Sequence, residues 1–236
     1  MNKKSYIIFT LSLSILILTV LLGSILTSPV IATSSLSQLN KPTIILDPGH
    51  GGEDGGAVAD SGVLEKDINL AISNKLRTFF QINGFDVEMT RDDDTALYDN
   101  DRTNTKKRSD LENRVKMFNS SANNIVISIH QNKFTQSQYS GAQVFYSANN
   151  DLSADLAEDI RFSINSLIQK DNNRQCKQAG SEIFILDNTA VPAVMVECGF
   201  LSNIQETEKL QDDKYQSELA YSIFLGFLEF YYKNYK

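Results

Sequence analysis

Apolar positions recur along this chain in two alternating rhythms: short β-branched runs, and longer stretches with apolar residues three and four apart. Thr43-Ile44-Ile45-Leu46 reads as a buried strand running into a glycine-rich turn, Asp47 to Gly52. Glu65 to Asn83 follows with a helical period, placing Ile68, Leu70, Ile72, Leu76, Phe79 and Phe80 mostly on one broad face, and Asn83-Gly84 stops it. Phe85 to Thr90 predicts a second strand. Ser109-x-x-Glu112 has the form of a capping box opening a helix with Leu111, Val115 and Phe118.

The second half repeats the alternation. Strands are predicted over Ile125–Ile129, Ala142–Tyr146, Glu182–Leu186 and Ala193–Val196, with helices over about 153–169, 204–211 and 214–232. Strands alternating with helices predict an α/β fold: a single domain over 42–236, with a largely parallel twisted sheet of about six strands flanked by helices. No internal repeat or second domain is visible.

Residues 1–32 break this pattern. A basic start, Met1-Asn2-Lys3-Lys4, precedes an uncharged run from Tyr6 to Leu26. That run is long enough to span a bilayer, and the lysines favour an inside amino end. Val30-Ile31-Ala32 also resembles a signal-peptide cleavage site, but the apolar run exceeds the usual core of about 7–15 residues. An uncleaved signal anchor is the preferred expectation and a cleaved signal peptide the alternative; both put the domain outside the cytoplasmic membrane. The Ser-rich stretch 33–41 is expected to be a polar linker.

Charge narrows the partners. The chain carries a formal −7, and beyond the leader 20 Lys+Arg face 29 Asp+Glu. Nucleic acid and anionic lipid surfaces both call for a basic stripe, so neither is expected as a ligand of the domain. Two cysteines, Cys176 and Cys198, are too few for a disulfide framework, and Cys198 at the end of an apolar run reads as a buried thiol.

The chain's two histidines both follow strand-like runs: His50 after Ile44-Ile45-Leu46 through a Pro-Gly turn, and His130 directly after Ile125–Ile129. Glu197 likewise follows Ala193–Val196. In open parallel sheets functional groups gather beyond the carboxyl ends of the strands, so three strands bring two imidazoles and a carboxylate to one edge. Glu65, opening a helix that runs back along the sheet, returns to that edge. Two imidazoles and one carboxylate suit Zn²⁺ with a coordination position left for water, whereas Ca²⁺ or Mg²⁺ would favour oxygen ligands. The plainer readings are a loop histidine and a first-turn glutamate favoured by the helix dipole. Spacing alone leaves the metal undecided. The Gly49–Gly56 cluster lacks the Lys-Ser/Thr of a phosphate loop, and no HExxH is present.

Longer motifs decide between these readings. The stretch Ile44-Ile45-Leu46-Asp47-Pro48-Gly49-His50-Gly51-Gly52-Glu53-Asp54-Gly55-Gly56-Ala57 closely resembles the opening motif of the zinc-dependent N-acetylmuramoyl-L-alanine amidases of type 3. Leu64–Leu70, Thr90-Arg91, Leu111-Glu112-Asn113-Arg114, Ser128–Asn132 and Val196–Asn203 resemble further elements of that family in its order. The resemblance covers about residues 42–232.

It implies that His50, Glu65 and His130 hold one zinc ion and that Glu197 is the catalytic acid/base. Asn132, Arg91 and Arg114 become candidates for substrate contact, with a structural ion pair the alternative for each arginine. Gln131 stands where many members have alanine and is expected to tune that contact. The implied substrate is the amide between the muramic acid lactyl group and L-alanine in peptidoglycan. Only about ten residues separate Asn132 from Ala142, too few for the occluding helix of some members. A compact domain behind a hydrophobic leader, without wall-binding repeats, resembles the germination-specific, spore-cortex branch; the alternatives are a vegetative wall autolysin of the same chemistry and a non-catalytic peptidoglycan-binding module, against which the intact ligand set and Glu197 argue. The lack of a wall-binding domain makes a protein activator an expected partner.

Overall fold

A computed structural model describes residues 41–99 and 106–236. The leader and all of the linker except Lys41 lie outside the described residues. Among those residues no helix is long and apolar enough to cross a membrane. Lys41 is docked on the domain, its Nζ donating to the carbonyls of Asn83 and Gly84 at 3.2 and 3.0 Å.

The strands are β1 (Thr43–Pro48), β2 (Val87–Met89), β3 (Asn124–Asn132), β4 (Gln143–Tyr146), β5 (Lys177–Gln178) and β6 (Ala193–Phe200). They form one six-stranded sheet in the order β2-β1-β3-β6-β4-β5. β1 is parallel to β2 and β3, and β3 to β6; β4 turns antiparallel to β6 and carries β5 parallel beside it. The central strands are β-branched because helices bury them on both faces.

Those helices are α1 (Glu65–Ile82), α2 (Lys106–Phe118), α3 (Leu152–Leu167), α4 (Phe184–Asp187), α5 (Ile204–Gln211) and α6 (Asp213–Asn234). Alternate strand residues sort between two cores. Ile44, Leu46, Ile127 and Val194 pack with Ile72 and Phe80 of α1, Ile160 of α3, and Ile223 and Phe227 of α6. Ile45, Val126 and Met195 point the other way, toward Phe118 of α2 and Ile185 and Leu186 of α4. These elements form one unit, Lys41–Lys236.

Three expectations need correction. Residues 182–186 are not a strand: α4 occupies 184–187, and the sheet's edge is the short β5 instead. So short an apolar run carries no period that separates strand from helical turn. Ser109 does not cap α2, which is already under way at Lys106; its hydroxyl lies inside the helix and accepts from the Asp99 N–H at 3.1 Å. Strands β3 and β6 also do not stop at His130 and Glu197 but run on to Asn132 and Phe200. The two residues therefore project from within paired strands, directly across from one another.

Candidate active site

The ligand loop after β1 is shaped by what surrounds it. His50 adopts a left-handed backbone, φ +62°, which a non-glycine residue holds only when its surroundings impose it. Arg114 imposes much of this. From α2 its guanidinium donates to the carbonyls of Pro48 at 2.9 Å and His50 at 2.7 Å, and pairs with Asp47 at 2.5 Å. Arg91 completes the brace, donating to the carbonyls of Pro48, Gly49 and Lys66 at 2.8–3.0 Å.

Both arginines are almost wholly buried, 4% and 2% exposed. Burial opposes the charge of Arg114, but Asp47 and Asp110 outweigh it and hold the guanidinium firmly protonated. Burial would also raise the Asp47 carboxyl, yet Arg114 and the Ser128 and Thr90 hydroxyls keep it below the ordinary aspartate range. The expectation that Arg91 and Arg114 meet substrate is therefore corrected. Their donors are occupied by the backbone that carries His50, and they set the ligand loop instead.

Two glycines leave room for the imidazoles and Glu65. A Cβ on Gly49 would lie 2.2 Å from Cε1 and Nε2 of His130, so that imidazole rests on bare backbone. Gly56, at φ +68°, would put a Cβ 2.6 Å from Oε2 of Glu65 and 2.7 Å from Cδ2 of His50. The glycine cluster thus serves close packing around the imidazoles as well as a tight turn.

His50, Glu65 and His130 each bring a ligand atom to within 4.8 Å of the others. Nε2 of His50 lies 3.2 Å from Oε2 of Glu65, and Nδ1 of His130 lies 2.9 Å from its Oε1. Nδ1 of His50 is held at 2.9 Å by Asp54, the outer carboxylate that fixes a ligating imidazole's orientation. Glu65 accepts from the backbone N–H groups of Ala57 at 2.8 Å and Gln131 at 3.0 Å, and from Nδ2 of Asn69 at 3.2 Å. Burial alone would raise its pKa, but the hydrogen bonds and positive charge of the two imidazoles, His130 first, drive it far below the ordinary glutamate range. The donor set fits a cation: one fixed carboxylate, two oriented imidazoles, no competing lysine among the three.

Glu197 differs in every respect. It is half-buried, and its Oε2 is shut from solvent with no hydrogen-bond partner among the described residues. Burial, reinforced by Glu65 and opposed by the two histidines, lifts its pKa to about 7. A carboxyl poised near neutrality beside two oriented imidazoles is the arrangement expected of a general acid/base.

Asn132 lies two residues beyond His130 at the end of β3 and is half-buried. Gln131 turns the other way. It is 3% exposed, and its Nε2 donates to Oδ1 of Asn69 at 3.1 Å. It therefore braces the site from inside instead of touching substrate. Both cysteines are free, and burial raises each thiol, to about 12 for Cys176, away from the thiolate form.

Sequence reasoning missed Asp54, Asn69 and Asp47. Their signals were present: Asp54 lies four residues after His50, and Asn69 lies one helical turn after Glu65 on the same face.

This fold and site define an α/β amidohydrolase. The chain belongs to the N-acetylmuramoyl-L-alanine amidase family, Amidase_3, whose profile matches residues 44–229. It is 36% identical over 199 residues to a germination-specific N-acetylmuramoyl-L-alanine amidase of Bacillus subtilis, covering 82% of this chain and 81% of that one. Among solved structures it resembles the CwlD amidase of Clostridioides difficile, determined with the GerS lipoprotein (39% identity, TM-score 0.79, 82% of this chain and all of that one). An N-acetylmuramoyl-L-alanine amidase of Clostridium difficile 630 is similar at 30% identity and TM-score 0.72, covering 84% and 100%.

Proposed function

We propose that this amidase is zinc-dependent and cuts the amide between the lactyl group of muramic acid and L-alanine, stripping peptides from spore-cortex peptidoglycan so that muramic-δ-lactam can form. The observation that carries the chemistry is the convergence of His50, Glu65 and His130 within 4.8 Å, with Glu197 directly across from His130. The cortex setting is supported by the likeness to the germination-specific relative.

His50, Glu65 and His130 would hold the ion, with Asp54, Asn69 and Gln131 fixing their orientation. Bound there, the ion would supply an acidified water, its pKa lowered toward about 7, and Lewis-acid polarisation of the amide carbonyl. Glu197 takes the proton of the attacking water and returns it to the leaving amine. Burial, which raises its pKa in the metal-free site, opposes the downward pull of a bound cation and keeps the carboxyl able to do both. Asn132, next along β3, orients the substrate.

The domain acts outside the cytoplasmic membrane, attached through the segment 1–32. A protein partner assists it. The C. difficile CwlD amidase was solved with a lipoprotein, and a lipoprotein is the class of partner we propose here. Metal analysis of the full chain, with mass spectrometry of muropeptides after incubation with peptidoglycan, tests the chemistry. Release of intact stem peptides with near-stoichiometric zinc is expected; products cut within the peptide or the glycan overturn it. Deletion in the source organism tests the setting. Loss of muramic-δ-lactam supports the cortex role, and spores with unchanged cortex point to a vegetative wall enzyme.

A further inference from the structure

The loop beyond β3 carries two large exposed rings whose position the catalytic centre does not explain. Phe134 is 49% exposed and Tyr139 39%, and their rings lie 5.4 Å apart. Both stand over Phe200, at 5.8 and 6.2 Å. The platform adjoins the site through both of its strands. Phe134 follows the ligand His130 by four residues, and Phe200 follows Glu197 by three. It is held in place, because the Phe134 N–H donates to the Ser202 hydroxyl at 3.2 Å and the Tyr139 carbonyl accepts from Asn203 at 3.3 Å.

Beside the platform lies a cleft of about 810 Å³, within the roughly 300–1,000 Å³ range of ligand clefts. Its lining is polar, including Gln138, Tyr139, Asn173, Arg174, Gln205 and Lys209. Arg174 is pre-set: its Nε donates to the Ser140 carbonyl at 2.9 Å, and its guanidinium stacks 4.5 Å from the Phe200 ring. The floor is rigid too, since Gln169 and Asn172 hold the backbone of Ala142 at 2.7 and 2.9 Å.

Exposed rings bordering an amide-rich cleft match one ligand chemistry. N-acetylated sugars offer C–H faces that stack on rings, and hydroxyl and acetamido groups that pair with amides and guanidinium. A protein partner would instead need an apolar, desolvated centre, which this cleft lacks. Register agrees: Gln143 of β4 pairs with Glu197 of β6, and Gly141, two residues before it, lines the cleft, so the cleft borders the edge where the sugar, joined to the scissile amide by a short lactyl ether, must sit. Accepting the amidase reading, we infer that Phe134, Tyr139 and Arg174 form a subsite for the glycan backbone, binding sugar units that neighbour the one being stripped.

The test uses the zinc-loaded full chain and two ligands: glycan strands already freed of peptide, and a muramoyl-peptide with a single sugar. Phe134→Ser and Arg174→Ala should each weaken binding of the bare glycan about tenfold. Each should also lower the ratio of kcat/KM on polymeric peptidoglycan to that on the single-sugar substrate by a similar factor. Phe134→Tyr, which keeps the ring, should restore both, separating loss of stacking from damage to the fold. Unchanged glycan binding in the first two variants overturns the inference, as does an equal fall on both substrates. Loss of binding to a protein partner with glycan binding intact overturns it as well. Failure of the underlying reading looks different: the parent chain would release no peptide even from the single-sugar substrate, while the glycan-binding measurement would still decide the subsite.

Discussion

His130 of β3 and Glu197 of β6 occupy directly paired positions in adjacent parallel strands. The sheet's own register therefore sets one ligand beside the carboxyl proposed to move the proton. The pairing needs no loop to be ordered and does not depend on a bound ion.

That register makes the first prediction simple. Glu197→Ala removes a group that holds no other residue, its Oε2 having no partner among the described residues. The variant should fold, keep its zinc, and lose turnover by about 10²–10⁴-fold, the usual worth of general acid/base catalysis. Metal content and initial rates on purified peptidoglycan check it. Retention of full activity would remove Glu197 from the mechanism.

Much of this was legible beforehand because the site residues stand where the sheet's pattern ends. The β-branched runs before His50, His130 and Glu197 located three of the four groups, and the first-turn position of Glu65 located the fourth. The brace was not legible. Arg91 and Arg114 look alike in sequence whether they meet a substrate or backbone carbonyls, and only tertiary packing separates the two. Gln131 was misread for a related reason. At a bulge between His130 and Asn132 the strand's alternation is broken, so the side chain's direction does not follow from counting. The segment 182–186 failed because four or five apolar residues have no period of their own.

The inward turn of Gln131 has a measurable consequence. Its donation to Oδ1 of Asn69 fixes which end of that amide faces Glu65, so that Nδ2 points at the ligand carboxylate. Gln131→Ala removes one of the contacts that set the amide and leaves it to the Gly49 carbonyl and Glu65 alone. Zinc affinity should fall about tenfold, the low end of the range for an outer partner, with little change in KM at saturating metal. Competition with a chelator of known affinity measures it. A raised KM at unchanged affinity would return Gln131 to the substrate side.

Gly49 offers a test of the close packing. A Cβ there would lie 2.2 Å from the His130 ring, too close for both to keep their places. Gly49→Ala should displace that imidazole, abolish stoichiometric zinc binding, and lower stability by about 1–3 kcal/mol as overpacking does. Metal content and thermal unfolding report the two effects separately. A variant with parental zinc content would show that the ring has another place to go.

The buried pair of Arg114 and Asp47 should dominate stability near the site. Arg114→Met keeps most of the volume but leaves Asp47, fully buried, without its guanidinium, and frees the His50 carbonyl. Removing one partner of such a pair typically costs about 3–5 kcal/mol. Urea unfolding should show a loss of that size. Because Asp47 is held ionised, the double variant Asp47→Asn with Arg114→Met should recover part of it. Additive losses in the double variant would deny the coupling.

The Glu197 carboxyl also predicts how stability depends on pH in the metal-free protein. Its folded pKa of about 7 lies above the ordinary 4.5, with burial the first cause. The folded state therefore holds a proton that the unfolded chain has released, and stability falls as pH rises from about 4.5 to about 7. Glu197→Gln removes this slope, while His50, Glu65 and Asp54 titrate in both proteins and largely cancel in the comparison. The variant's advantage should widen by about 2–3 kcal/mol between pH 5 and pH 8. Unfolding curves recorded in chelator at several pH values measure it, and parallel profiles would mean that the carboxyl is ordinary. Saturating zinc should shrink the difference, because positive charge beside Glu197 favours its ionised form and draws the folded value back toward 4.5.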